Sequence, residues 1–229
     1  MNAIGRSLLI FTLFFLTRTV GAVAVGQTDT FQDGTTMNWL NGEIIGTPPV
    51  INVPNGGPAG AGDHYIQVTS DGSGSGGKLT TFNRDQWLGD YIATGVTSIG
   101  VDLLNQSAVS LSIRMAFKNG PGGGASAAGY LTQAMLLPVG SGWQHFTLSL
   151  APANLIAVNN PSPWATFFIG EVRFIHAVGT TSLSGTNVVG QFGIDNIHAV
   201  PEPTTTTLIT VSLLMFVAGV FRRKLVVGR

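Results

Sequence analysis

Residues Val109–Phe117 read Val-Ser-Leu-Ser-Ile-Arg-Met-Ala-Phe. Every second residue is large and apolar, and those between are Ser, Ser, Arg and Ala. A period of two sends alternate side chains to opposite faces of an extended chain, so the pattern predicts a strand with one face against a core. Similar short runs recur at Tyr65–Thr69, Lys78–Phe82, Ile99–Leu104, Tyr130–Leu137, Trp143–Leu150, Glu171–His176 and Phe192–Val200, separated by Gly, Asn, Asp, Ser and Pro. No window of about 11–18 residues carries clean helical periodicity. Ala151–Ala157 is read as a short helical turn. Many short strands punctuated by turn residues predict an all-β domain, an antiparallel β-sandwich whose two sheets each bury one face.

The chain has 229 residues, 11 basic and 11 acidic, with 31 glycines and no cysteine. A 44% apolar content with only 10% charge excludes a charge-rich disordered protein. The absence of basic excess argues against a nucleic-acid partner. The absence of cysteine excludes a disulfide scaffold, a thiolate zinc site and a cysteine nucleophile. The charge balance averages unlike segments. Residues 25–199 hold ten acidic and five basic side chains, and the other six cations lie in the two ends.

Those ends read as addresses. Residues 1–24 have the form of a secretory signal peptide: Arg6 in the leader, an apolar run at Leu8–Leu16, and Ala22-Val23-Ala24 as a small-x-small site. Cleavage by signal peptidase is expected between Ala24 and Val25, leaving an exported domain at 25–199. Near the other end, Leu208–Phe221 is apolar or hydroxylic throughout. Counted from Thr204, residues 204–221 give ~27 Å of helix, close to the ~30 Å of a hydrocarbon core. A single transmembrane helix is therefore expected there. Arg222, Arg223 and Lys224 follow at once and hold that side in the cytoplasm. Val200-Pro201-Glu202-Pro203 precedes the span as a stiff, extended stop.

Pro-Glu-Pro, a threonine spacer, one span and a basic cluster, in this order, resemble the PEP-CTERM sorting signal. The resemblance covers residues 200–224. It implies insertion in the inner membrane, recognition by an exosortase, processing near Val200, Pro201, Glu202 and Pro203, and a final place in the cell envelope or outside the cell. A plain tail anchor without processing is the alternative.

Within the domain, Asp29–Trp39, Ser141–Leu148 and Gly193–Ile197 resemble the first, late-middle and last strands of the galactose-binding-like jelly roll, a sandwich shared by many carbohydrate-binding modules. That resemblance implies first and last strands lying together and a structural calcium, carried over here to Asp33 and Asp195. The alternative is that both aspartates serve the backbone. For polysaccharide, Arg84, Trp87, Tyr91 and Trp164 are the candidates, because sugar sites combine aromatic faces with a few placed polar groups. A plug of Trp87 and Tyr91 packed under the sandwich is the competing reading. Trp39 and Trp143 are expected in the core.

Other motifs are weak. Gly72-x-Gly74-x-x-Gly77 matches a dinucleotide fingerprint in form but is followed by a strand pattern, so it reads as a loop. His64, His145, His176 and His198 lie far apart in sequence and read as isolated. No paired acid and base stands at a recognisable spacing. The chain is thus expected to be a non-enzymatic exported envelope or matrix protein linked to exopolysaccharide. A carbohydrate-binding module is the alternative, and a secreted hydrolase a more distant one.

Overall fold

The computed structural model describes residues 22–41, 48–73, 77–121 and 126–201. The bulk of the expected signal peptide lies outside these residues. So do the expected membrane helix 204–221, Glu202, Pro203, Arg222, Arg223 and Lys224. Among the described residues no helix is long and apolar enough to cross a membrane.

Among the described residues twelve strands form two antiparallel sheets. The first sheet runs β2 (Ile51–Val53), β3 (Tyr65–Asp71), β12 (Val189–Pro201), β5 (Val96–Asn105), β9 (Trp143–Ser149), and β1 (Thr28–Asp29) also pairs with β12. The second runs β10 (Ile156–Val158), β7 (Gly129–Leu131), β6 (Leu111–Lys118), β11 (Glu171–His176), β4 (Thr80–Asn83), with β8 (Met135–Leu137) on β6. The first and last strands do lie together, Thr28 opposite His198 and Asp29 opposite Ile197.

The alternation that opened the reading is realised in β6. Leu111, Ile113, Met115 and Phe117 enter the main core, where Val172 and Phe174 of β11 and Phe192, Ile194 and Ile197 of β12 also lie. The expected run 130–137 is two strands, because Thr132 turns inward. Its Oγ1 accepts from the Met115 N–H at 2.9 Å, and its own N–H donates to the Met115 carbonyl. The expected helical turn shrinks to a 3-10 turn at Pro152–Asn154, followed by β10.

The outer face of the second sheet departs from the simple sandwich. Ala116, Leu131, Val158, Ile175, Ala177 and Leu183 form a second, smaller core there. Glu171 and Lys118 on the same side are fully buried as an ion pair, Nζ to Oε1 at 2.9 Å. Arg84 Nε reaches the other Glu171 oxygen at 2.6 Å, and Arg173 Nε also donates to Glu171. Burial alone would push the Glu171 carboxyl up, but the Arg173, Lys118 and Arg84 cations outweigh it and hold the group below its ordinary value.

Residues on both sides of 25–199 also pack or pair with the sandwich. Val23 is buried in the main core, its N–H donates to the Leu88 carbonyl at 2.8 Å, and Ala22 forms a bridge with Leu88. A cut between Ala24 and Val25 would remove this plug. At the other end, Val200 and Pro201 still pair with Ser98 and Val96, so the strand continues into the stretch assigned to the sorting signal. A chain starting at Val25 is expected to be less stable by about 1–2 kcal/mol than one starting at Ala22, the scale of one buried valine. Urea denaturation of the two chains checks this, and equal midpoints would show that Val23 is dispensable.

Candidate functional site

The loop after β1 and the loop after β4 meet at one end of the sandwich, and a buried carboxylate joins them. Asp29 Oδ2 accepts from Trp39 Nε1 at 2.7 Å, from Trp87 Nε1 at 2.7 Å and from Gln86 Nε2 at 3.0 Å. Both indole rings are fully buried, 6.4 Å apart, and Trp39 also packs on Phe174 at 5.4 Å. Burial raises the Asp29 carboxyl, and the Trp87, Trp39 and Gln86 donors work against that rise.

Above this clamp opens a pocket of about 480 Å³, lined by Asp33, Thr35, Thr36, Met37, Asn38, Asp85 and Gln86. Asn38 Nδ2 donates to Asp85 Oδ2 at 2.7 Å, and Gln86 Nε2 donates to the Met37 carbonyl at 2.6 Å. These bonds tie one wall to the other. Met37 and Asn38 both have positive φ, 46° and 59°. Non-glycine residues adopt that region at a cost and only where surroundings impose it. Asp33 accepts from the Thr35 N–H and hydroxyl, which hold its carboxyl below the ordinary value.

The four residues selected as sugar contacts do not gather on one surface. Trp87 is buried in the Asp29 clamp. Tyr91 is 1% exposed, its hydroxyl donating to the Trp87 carbonyl at 2.9 Å, and burial raises its phenol far above the usual range. Trp164 is 5% exposed and packs on Phe117, Tyr130 and Phe167. All three rings are spent on core packing and offer no face to a ligand. Arg84 is partly exposed, stacks on Phe82 at 4.2 Å and serves Glu171. Its neighbours Asp85 and Gln86 reach the pocket instead. Trp143 is not a core residue. It lies half-buried on the outer face of the first sheet beside Tyr65 at 5.2 Å, its Nε1 donating to the Gly56 carbonyl at 2.9 Å.

The two aspartates expected to hold calcium have unlike surroundings. Asp33 is solvent-exposed and bonded to Thr35, whereas Asp195 is buried on β12. The carboxylates that bear on Asp195 are Asp63 and Asp102. Asp195 Oδ1 accepts from the Asn196 N–H at 2.7 Å, and Oδ2 has no partner. That orphaned oxygen would suit a cation. Among the described residues no group of three or more His, Cys, Asp or Glu side chains is arranged around a metal.

No family model matches the chain, and no curated protein matches it. Solved structures similar to it include a family 11 carbohydrate-binding module from Clostridium thermocellum in complex with a β-1,3-1,4-mixed-linked tetrasaccharide. It is 19% identical with a TM-score of 0.48, over 78% of this chain and 97% of that one. An exo-β-agarase is 15% identical with a TM-score of 0.49, over 79% of this chain and 25% of that one. The adhesin domain of Lys-gingipain from Porphyromonas gingivalis is 14% identical with a TM-score of 0.44, over 78% of this chain and 99% of that one. At this level of similarity the functional argument rests on the chain's own residues.

Burial pushes the Asp195 carboxyl up to about 7; the Asn196 N–H opposes this, and Asp63 and Asp102 add to it. An acid raised in the folded state stabilises the fold when protonated. That contribution is full below the unfolded value near 4 and is lost as pH rises through about 7. Asp195→Asn is therefore expected to gain on the parent between pH 4.5 and pH 8, by at most on the order of 4 kcal/mol. Urea titrations at the two pH values read the difference directly; a pH-independent difference would contradict the shift.

Proposed function

We propose that this is a non-catalytic exported surface protein whose sandwich binds carbohydrate in the pocket between the 33–38 and 85–86 loops. The observation that carries the reading is the composition of that pocket. Carboxylates of Asp33 and Asp85 and the amide of Asn38 supply acceptors and donors for hydroxyl groups, and Met37 supplies an apolar wall. The two consecutive left-handed residues, Met37 and Asn38, support it, since strained backbone concentrates at ligand sites. A glycan array probed with the purified protein is expected to give hits among neutral or acidic polysaccharides. Asn38→Ala and Asp85→Ala should each weaken binding at least tenfold, about 1.4 kcal/mol, in variants that circular dichroism shows to be folded. Absence of hits, or hits indifferent to both substitutions, would remove the proposal.

The same reading takes the chain as carried across the inner membrane by signal peptidase-dependent export, then processed by an exosortase near Pro201-Glu202-Pro203, with Arg222, Arg223 and Lys224 on the cytoplasmic side. The order of motifs supports it. Glu202→Ala combined with Pro203→Ala changes no residue of the described β12. It is expected to leave unprocessed precursor in the membrane of a cell that has the exosortase. Normal processing of that variant, seen by immunoblot, would leave the segment a plain anchor.

A further inference from the structure

The four histidines are dispersed in sequence, but the first sheet brings two of them together. Strand β5 lies between β12 and β9. His145 of β9 stands opposite Asp102 of β5, and His198 of β12 stands opposite Gly100 of β5. Residues 100 and 102 share a face, so both imidazoles reach over the same strand from opposite sides. Gly100 makes this reach feasible. A Cβ there would lie 1.9 Å from His198 Cε1, so the ring occupies the space a side chain would take. The two rings stack with centroids 5.9 Å apart and planes inclined by 20°.

The ring nitrogens are not equivalent. His145 Nδ1 lies 2.7 Å from Asp102 Oδ1, and His198 Nδ1 lies 2.9 Å from the Asn196 carbonyl oxygen. A carboxylate and a carbonyl only accept, which assigns the proton to Nδ1 in both rings. In the neutral imidazoles both Nε2 atoms then carry lone pairs. An imidazole whose Nδ1–H is held by a carboxylate or a carbonyl is the arrangement that prepares Nε2 for a metal. Asp102 is itself held, its other oxygen accepting from Asn196 Nδ2 at 2.8 Å. Asn196 adopts a positive φ of 49° at the irregularity between Asp195 and His198, and so serves both histidines.

We propose that His145 and His198 form a two-imidazole site for a late first-row divalent cation such as Zn²⁺, Ni²⁺ or Cu²⁺. Imidazole nitrogen suits these ions, and Cu²⁺ heads their affinity order. Each Nε2 would approach the ion to ~2.0–2.1 Å, which requires the stacked rings to turn toward each other. The His145 side chain is 54% exposed and supplies that turn. No third His, Cys, Asp or Glu completes a preformed set among the described residues, so water fills the remaining positions and the affinity is below that of a structural zinc site. Asp102 and Asn196 are positioning residues. The site lies on the outer face of the first sheet and uses none of the residues of the proposed sugar pocket.

Titration of the purified full-length chain with ZnCl₂ and with CuCl₂, followed by calorimetry, tests the proposal. One ion per chain is expected, and the Cu²⁺ spectrum in electron paramagnetic resonance should show coupling to two nitrogens. His145→Ala and His198→Ala should each weaken binding more than tenfold, and Asp102→Asn roughly tenfold, the lower end of what loss of an outer-shell partner costs. His64→Ala should leave it unchanged. Should His198→Ala fail to fold, the exposed His145→Ala decides alone. No binding up to millimolar metal, coupling to a single nitrogen, one ion shared by two chains, or full affinity in His145→Ala would each overturn the site.

Discussion

One buried carboxylate organises the end of the molecule where function is sought. Asp29 sits in a two-residue strand and accepts from two indoles and one amide through a single oxygen. A carboxylate removed from water is costly unless its hydrogen-bonding capacity is met. Here the donors come from residues 10, 57 and 58 positions away, so the same bonds that make the burial tolerable also fix long-range order. The clamp pins the 30–39 loop to the 84–87 loop and draws both tryptophan rings into the core. Loss of Asp29 would leave two buried indole N–H groups unmatched, the case in which buried hydrogen bonds matter most.

The pocket is a by-product of that clamp. With Trp39 and Trp87 drawn inward, the residues beside them are left at the surface, and these are Asp33, Asn38, Asp85 and Gln86. The proposed binding surface is polar for this reason. The two outer sheet faces are used differently. On the second sheet, Arg84, Lys118 and Arg173 converge on buried Glu171 beside a small apolar core, which makes that face structural. On the first sheet, Asp102, Asp195, His145 and His198 leave acids and imidazoles near solvent, with only Asp195 fully buried.

Much of the fold was legible because alternation is a local property. The run at 109–117 corresponds to β6, which starts two residues later at Leu111, and the run at 171–176 is β11. The pairing of first and last strands followed from resemblance. What could not be read depends on partners far along the chain. Arg114 and Lys118 occupy the polar positions of β6, so alternation assigns them to solvent. They are buried because Ala177, Thr132 and Glu171 meet them there. Trp87 beside Asp85 and Gln86 looks like an exposed loop aromatic, and only the distant Asp29 takes it inside. The His145–His198 contact needs an intervening glycine on a third strand, a condition with no local signature. Asp33 was drawn toward Asp195 by family likeness, but Asp33 satisfies itself within its own turn.

The central claim is that Trp39 and Trp87 are buried anchors of Asp29 and that ligand chemistry is left to the polar residues around them. Hydrogen exchange at the two indole N–H groups, followed by ¹⁵N NMR with and without a bound glycan, tests it most directly. The account predicts exchange only through global unfolding, at the rate of the most protected backbone amides, and little movement of either signal on glycan binding. Rapid exchange in the free protein, or a large shift of either indole on binding, would contradict it and return the tryptophans to the ligand surface.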